Sequence, residues 1–430
     1  TSFRKYIGTT VATNVNDKTV AVIMENSMDL PGVSIVEDTV RRYVDSEYFA
    51  HILGYTGKIS SDELAELNAR MEEQGIGSDI YSLNDVVGKS GIESYLETTL
   101  QGEKGYEKVY VDVMGKVISV EERKEAKAGQ NVYLTVDMEL TKAVYHILEQ
   151  KLAGLVSKMV VNAKEYLADS SADIRIPIYD VYFTLFNNAV IDMKHMAGAD
   201  AGETEQEVYA AHLDYKQAVY ERLAYELSEK MTPYNQLPEE YQVYQSNIVS
   251  LLRRNGVIMA ESVDPDDATQ VAWATDEVIS LSEYLKYCIS QNWIDVSKLE
   301  LDDKYSDSSE VFEKIGEYIV TMIEKNTEFQ KRFYKYMLLN DVISGRQVCQ
   351  ILCEQNLVDI PEEERNAIQN GTISAFQFMK NRIDNLDITP AQLALDPCNA
   401  SAVITDVNSG DVLALVSYPG YDNNMMANSV

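Results

Sequence analysis

The sequence predicts an α+β chain with three parts: a mixed β/α N-terminal domain, a large all-α domain inserted in the middle, and a C-terminal β-hairpin that opens a further α/β sheet domain. Three observations carry this. Short apolar runs, capping boxes and punctuating glycines alternate through the N-terminal third. Helical periodicity then continues for about 240 residues, far longer than any structureless loop in a compact domain. At the C-terminus, Ala402 to Thr405 and Val412 to Val416 are aliphatic runs flanking Asp406-Val407-Asn408-Ser409-Gly410-Asp411, a turn in which Gly410 can take positive φ. The expected boundaries are 1–128, 129–157, 158–397 and 398–430.

Taken in order, Val20-Ala21-Val22-Ile23-Met24 reads as a strand, and Leu30-Pro31-Gly32-Val33-Ser34-Ile35 as a turn and a second strand. Phe49 to Ile59 reads as a strand and a glycine-punctuated loop. Ser60 and Glu63 have capping-box spacing for a helix with Leu64, Leu67 and Met71 on one stripe, and Gly75 is placed to end it. Ser90 and Glu93 repeat that spacing, with Tyr95, Leu96 and Leu100 as the expected buried stripe and Gly102 as a stop. Strands follow at Val109 to Val113 and Lys116 to Val120, joined at Met114-Gly115. Asn131 to Asp137 alternates as a strand, and Asp137 can cap a helix carrying Leu140, Val144, Ile147, Leu148, Leu152 and Leu155.

The central region shows helical stripes at Glu207 to Lys230, Glu239 to Arg254, Asp276 to Ser290, Ser308 to Glu324, Glu328 to Leu339, Gly345 to Gln355, Pro361 to Asn370 and Ile373 to Asn385. Pro233, Pro238, Pro265, Pro361, Pro390 and Pro397 fall between or at the starts of these, where helices tolerate them. In the terminal hairpin, Pro419 ends the second strand because it has no N–H to donate. Two strands alone bury too little to be stable, so the hairpin is expected to begin a larger sheet.

Composition narrows the function. Of 430 residues, 45% are hydrophobic and 25% charged, which permits large cores, and no apolar run is long enough to span a membrane. Lys and Arg number 37 against 69 Asp and Glu, a net charge of -32 that would repel DNA, RNA or an anionic lipid surface. Cys288, Cys349, Cys353 and Cys398 make no disulfide framework, and Cys349 and Cys353 share a helix face as buried thiols. His51, His146, His195 and His212 stand far apart with no metal-ligand spacing, and His51 reads as a packed structural residue. Ser2-Phe3-Arg4-Lys5 fits S-x-x-K only as a string, since a nucleophilic serine needs a closed cleft and an oxyanion hole. Lys89-Ser90-Gly91 and Ser290-Gln291-Asn292 likewise match K-[ST]-G and S-x-N in structural settings. Asp264-Pro265-Asp266-Asp267 begins like a calcium loop but lacks its later ligands, and reads as a helix N-terminus.

Two groups of these motifs resemble one family. Asp406, Ser409-Gly410-Asp411-Val412-Leu413-Ala414, Ser417-Tyr418-Pro419, Tyr421-Asp422 and Asn424 are similar to the opening hairpin of the transpeptidase domain in class B penicillin-binding proteins. Gly54-Tyr55-Thr56-Gly57-Lys58-Ile59-Ser60, Gly88-Lys89-Ser90-Gly91-Ile92-Glu93, Leu100-Gln101-Gly102, Gly105 and Val111-Asp112-Val113-Met114-Gly115 resemble the pedestal, or dimerisation, domain of that family, with spacing closest to its cell-elongation branch. The resemblance implies a parent anchored in a bacterial membrane and facing outward, cross-linking peptidoglycan by acyl transfer through an S-x-x-K serine and acylated by β-lactams. That serine is expected some tens of residues beyond the hairpin, so these residues are expected to be truncated at both ends and non-catalytic. The implied site inventory is therefore no catalytic residue, no cofactor and no metal. The implied partners are other cell-wall synthesis proteins and a second copy in a homodimer, with stem peptides and β-lactams for the parent only and no nucleic acid. The competing readings are a protein-interaction scaffold in the cell-wall synthesis machinery and an extracellular helical binding module.

Overall fold

The computed structural model describes residues 11–12, 15–26, 28–30, 32–35, 40–77, 80–111, 117–166, 174–300 and 307–427. The chain divides into two compact units, Thr1–Leu148 with Ala400–Val430, and Glu149–Asn399. Both ends of the polypeptide therefore belong to one unit, and the helical middle forms the other.

The first apolar run is a helix, α1 (Asp17–Glu25), not the expected strand. The Asn16 side chain accepts from the Thr19 N–H at 2.9 Å, and the Asn26 amide donates to the Val22 carbonyl at 2.8 Å. Caps at both ends, with Asp17 in the first turn, outweigh the β-propensity of a short Val-rich run that has no neighbouring strand among the described residues. Leu30 to Ile35 also forms no strand where described; Val33 N–H closes a turn on the Leu30 carbonyl. The expected strand at Phe49 is instead α2 (Ser46–Leu53). Ser46, Phe49, Ala50 and Leu53 turn inward with a period near 3.6, Ala50 fully, and a helix places them on one face.

After Gly54 the chain enters β1 (Thr56–Lys58), then α3 (Ser61–Glu73), whose capping box forms between Ser60 and Glu63 as expected. Strand β2 (Val86–Gly88) pairs antiparallel with β1, Thr56 opposite Gly88 and Lys58 opposite Val86. Two short helices follow, α4 (Gly91–Tyr95) and α5 (Glu97–Leu100). Their inward face departs from expectation: Tyr95 is 84% exposed, while Glu93 and Glu97 are buried. An antiparallel ribbon, β3 (Tyr106–Val111) and β4 (Val117–Lys124), comes next with two register shifts. The expected turn at Met114-Gly115 lies outside the described residues. Asn131 to Asp137 is not a strand; its groups find separate partners instead of a ladder, Thr135 Oγ1 donating to the Val412 carbonyl at 2.7 Å and Asp137 N–H to Leu413. Asp137 caps α6 (Met138–Met159) through the Leu140 N–H, as predicted. This helix carries the chain into the second unit.

Among the described residues the second unit is helical apart from a two-residue parallel pair, β5 (Val160–Val161) with β6 (Ile176–Pro177), and a single antiparallel bridge between Ile258 and Ile294. Its helices are α7 (Ile178–Asn187), α8 (Glu203–Tyr225), α9 (Glu239–Arg254), α10 (Ala268–Ala274), α11 (Leu281–Ser290), α12 (Ser308–Lys325), α13 (Thr327–Leu339), α14 (Gly345–Glu354), α15 (Glu362–Asn370), α16 (Ala375–Asp384) and α17 (Pro390–Leu393). Two apolar cores form. One gathers Leu185, Phe186, Leu352 and Phe378; the other gathers Tyr244, Ile248, Tyr284 and Phe333. Helices α8 and α13 contribute to both, and stacked rings run along them, Phe186 on Tyr334 and His212 on Tyr334 at centroid distances of 4.4 and 4.6 Å.

The chain then re-enters the first unit as β7 (Ala400–Thr405) and β8 (Val412–Tyr418), the predicted hairpin, with Gly410 at φ 79°. The last described element is α18 (Asn423–Ala427). Ala414, Val416 and Tyr418 face inward, while Val403 and Leu415 are exposed. Among the described residues the hairpin is a two-stranded sheet with no further strand on either edge. No described helix is long and apolar enough to cross a membrane.

Candidate functional site

The feature of the first unit that depends on specific side chains is the junction between its two halves. The turn after β8, Pro419 to Asn424, inserts against Tyr43 to Gly54. Asn423 is fully buried, and its amide donates to the Ala50 carbonyl at 3.2 Å and also to the Gly54 carbonyl. Tyr421 hydroxyl donates to Ala50 as well, at 3.2 Å. Asn424 brackets Tyr43, accepting from its N–H at 2.8 Å and donating to its carbonyl at 3.0 Å, as a neighbouring strand would. Ser46 Oγ donates to Asp422 at 2.9 Å, and Tyr145 hydroxyl accepts from the Gly420 N–H at 3.2 Å. Asp422 also accepts from the Asn424 N–H, and these bonds hold its carboxyl below the ordinary range.

Close backbone approach makes the junction possible. A Cβ on Gly420 would stand 1.7 Å from the Glu47 carbonyl oxygen, and one on Gly54, at φ +73°, would stand 1.9 Å from that of Ser90. No side chain fits at either place.

Beneath this contact lie two buried carboxylates. Glu93 takes a two-pronged pair from Arg41, Nε to Oε1 and Nη2 to Oε2, both at 3.0 Å, and accepts from Tyr43 hydroxyl at 3.3 Å. That engagement explains why the second expected capping box is absent: Ser90 precedes α4 but makes no cap bond, and its Oγ is buried without a partner. Glu97 accepts from the Gly88 N–H at 2.7 Å and from Tyr81 hydroxyl at 3.3 Å, and burial pushes its carboxyl upward. Lys89 pairs with Glu63 at 2.6 Å, which holds the Glu63 carboxyl down at about 2. The Lys89-Ser90-Gly91 string is thus tied into the domain's own framework, partly buried at Lys89 and Ser90. An open cleft of about 350 Å³ lies beside the Arg41–Glu93 pair, with Ile92, Gln130 and Leu134 among its walls.

The remaining sequence candidates lie apart from one another. His51 Nε2 meets the Pro419 carbonyl at 2.9 Å and its ring stands edge-on to Tyr421, so it is part of the junction. His146 meets Tyr48 hydroxyl at 3.3 Å. His195 pairs with the buried Glu205 at 2.8 Å, which raises the imidazole, and His212 is buried with its Nδ1 unpartnered, its pKa lowered to about 4 by desolvation. Cys288, Cys349 and Cys353 are buried free thiols pushed up by burial, Cys288 to about 11, and Cys398 is half-buried. Ser290 Oγ donates to the Tyr287 carbonyl, and Asp267 caps α10 through the Thr269 and Gln270 N–H groups. Ser2 and Lys5 lie outside the described residues. No group of three or more His, Cys, Asp or Glu among the described residues could hold a metal ion. Sequence reasoning missed the junction itself. The run Tyr418-Pro419-Gly420-Tyr421-Asp422-Asn423-Asn424 was its signal, being rich in side chains that bond backbone.

Comparison with known proteins finds similarity over the N-terminal third of the chain. Residues 2–134 match the profile described as Penicillin-binding Protein dimerisation domain. Peptidoglycan D,D-transpeptidase MrdA of Haemophilus influenzae is 31% identical over 181 residues, 42% of this chain and 25% of its own length. Its namesake in Escherichia coli K12 is 32% identical over 146 residues, 34% of this chain and 22% of that one. Penicillin-binding protein 2A of Bacillus subtilis is 36% identical over 139 residues, 32% of this chain and 19% of its own. Among solved structures, penicillin-binding protein 2B from Streptococcus pneumoniae is 29% identical, covering 34% of this chain and 24% of that chain with a TM-score of 0.26. The chain spans a quarter or less of the length of these curated relatives. It carries a penicillin-binding-protein dimerisation domain. Over the matched part it is similar to class B penicillin-binding proteins of the PBP2 type.

Proposed function

We propose that these residues are the non-catalytic, extracytoplasmic part of a penicillin-binding protein whose parent cross-links peptidoglycan by serine acyl transfer. In this reading residues 1–128 are the pedestal, 129–157 and 398–430 begin the transpeptidase domain, and 158–397 are a helical insertion. The parent binds stem peptides and β-lactams, forms a homodimer through the pedestal, and works beside other cell-wall synthesis proteins. The observation that carries this reading is the junction: the glycine motifs of the matched domain and the terminal hairpin meet in one unit through Asn423, Asn424 and Gly420. Relatives named as peptidoglycan D,D-transpeptidases support it. A fluorescent penicillin tests it. The chain is expected to stay unlabelled under conditions that label the parent, and stoichiometric labelling of these residues would contradict the proposal.

A second reading, a docking scaffold in the cell-wall synthesis machinery, is favoured by the β3–β4 ribbon, whose described side chains are all exposed. Crosslinking in cells, comparing the parent with variants lacking residues 106–124 or residues 158–397, tests it. An unchanged set of partners after either deletion would count against a scaffold role for that segment.

A further inference from the structure

The dipeptide Asn-Gly occurs twice in this chain, at Asn255-Gly256 and at Asn370-Gly371. In each the asparagine is exposed, the pair closes a helix, α9 or α15, and the glycine takes positive φ, 72° at Gly256 and 78° at Gly371. By sequence and by exposure the two are equivalent. Their hydrogen bonds make them different.

At the first pair both groups are engaged elsewhere. The Gly256 N–H donates to the Arg253 carbonyl at 3.0 Å, and the Asn255 amide donates to the Tyr318 hydroxyl at 3.3 Å. The nearest atom that a Cβ on Gly256 would meet is Lys298 Cε, 4.0 Å away. At the second pair each of these is reversed. The Gly371 N–H meets no acceptor among the described residues. Asn370 Oδ1 accepts two bonds, one from the Thr372 N–H at 3.0 Å and one from the Thr372 hydroxyl. The guanidinium of Arg346, on α14, lies over the glycine, so close that a Cβ on Gly371 would stand 2.6 Å from Nη2.

These three features act on one reaction. A backbone nitrogen can attack the side-chain carbonyl carbon of the asparagine before it once its proton is lost, and a free N–H beside a cation loses it more readily, because the cation favours the anion. As the new bond forms, negative charge builds on Oδ1, where two donors already point. Glycine adds no side chain to obstruct the approach.

We propose that Asn370 is a self-modification site: the Gly371 nitrogen bonds to Asn370 Cγ, the Cγ–Nδ2 bond breaks, and ammonia leaves with a proton in place of the one the N–H gave up to water. Water then opens the resulting succinimide at one carbonyl or the other, leaving aspartate or isoaspartate at position 370. No oxidant or other reactant enters. The new carboxylate stands at the C-terminal end of α15, where the helix dipole disfavours it, and beside Arg346, which offsets that cost. The proposal stands apart from the penicillin-binding reading, since it uses only the helical unit.

In the test the full chain is held in mildly alkaline buffer at physiological temperature and sampled by peptide mass spectrometry, with isoaspartate read by an isoaspartyl methyltransferase. Asn370 should convert at least about tenfold faster than Asn255. In urea, where neither set of bonds survives, the two rates should converge. Thr372 and Arg346 are both exposed, so Thr372→Ala and Arg346→Gln should leave the circular-dichroism melt unchanged. Each should slow Asn370 by at least about threefold in the folded chain while Asn255 keeps its rate. Equal rates at the two asparagines of the folded chain, faster conversion of Asn255, an intact Asn370, or an Asn370 rate that neither substitution moves would overturn the proposal.

Discussion

The two units are held together in opposite ways. The first has a thin apolar core, Ile59, Met71, Tyr81 and Val87 with Leu64, Leu67 and Ile80 against it, and relies on backbone surfaces pressed together at Gly54 and Gly420 and on buried polar groups such as Glu93, Glu97 and Asn423. The second is held by two broad cores of aromatic and aliphatic side chains. A unit of the first kind breaks when a methyl group is added; a unit of the second kind breaks when one is removed. Buried polar groups also confer direction, because each must meet its partner. That suits a junction joining residues some 370 positions apart in sequence, such as Asn423 and Ala50.

The largest expected effect is therefore a deletion in the helical unit. Phe378 is fully buried, and Phe378→Ala should lower that unit's stability by about 3–5 kcal/mol in urea unfolding followed at 222 nm. Next comes a pH effect in the same unit. His212 binds its proton only below about pH 4 when folded but near 6.5 when unfolded. As pH falls from 6.5 to 4 the unfolded chain takes up the proton first, so stability is full above this window and about 3 kcal/mol is lost across it. His212→Phe should remove that loss, so the melting temperatures of variant and wild type should diverge progressively between pH 7 and 4.5 in the variant's favour.

The first unit should answer to addition instead. Gly54→Ala puts a Cβ into the Ser90 carbonyl and strains a positive φ, and about 2 kcal/mol should be lost from this unit while the helical transition stays in place. Asn423→Ala removes the side-chain donor to the Gly54 carbonyl and one of the donors to the Ala50 carbonyl, which keeps the Tyr421 hydroxyl and the Gly54 N–H, and should cost about 1–2 kcal/mol. The smallest effect is at the half-exposed Glu63–Lys89 pair. Its contribution is present above the ordinary carboxylate pKa and fades as pH falls from about 4.5 to about 2, so Glu63→Gln should cost about 0.5–1 kcal/mol at neutral pH, measured by thermal melting.

The same contrast decides what could be read from sequence. In the helical unit, amphipathic stripes coincide with clear starts, Pro238 before α9 and the side-chain caps Asp307, Asn326 and Ser344 before α12, α13 and α14, so these four fall within a residue or so of expectation. Helix α7 was not among the expected stripes, although Ile178, Val181, Tyr182, Leu185 and Phe186 recur at helical spacing and form its buried face. In the first unit, short apolar runs say little about period. Val20 to Met24 and Phe49 to Ile52 read as strands and are helices, and at α4 the inward residues are carboxylates, which no hydrophobic pattern marks. The hairpin was legible from its turn, but its attachment was not, because a bond from Asn423 to a backbone carbonyl leaves no trace in the sequence around Ala50.

The central claim is that the two ends of the chain form one unit that is separable from the helices between them. Amide hydrogen exchange of Asn423→Ala against wild type, read by peptide mass spectrometry, tests this most directly. Protection should fall together in 43–54 and in 400–427 while 178–393 keeps its wild-type rates. Loss of protection throughout the chain, or in 400–427 with 43–54 unchanged, would contradict it.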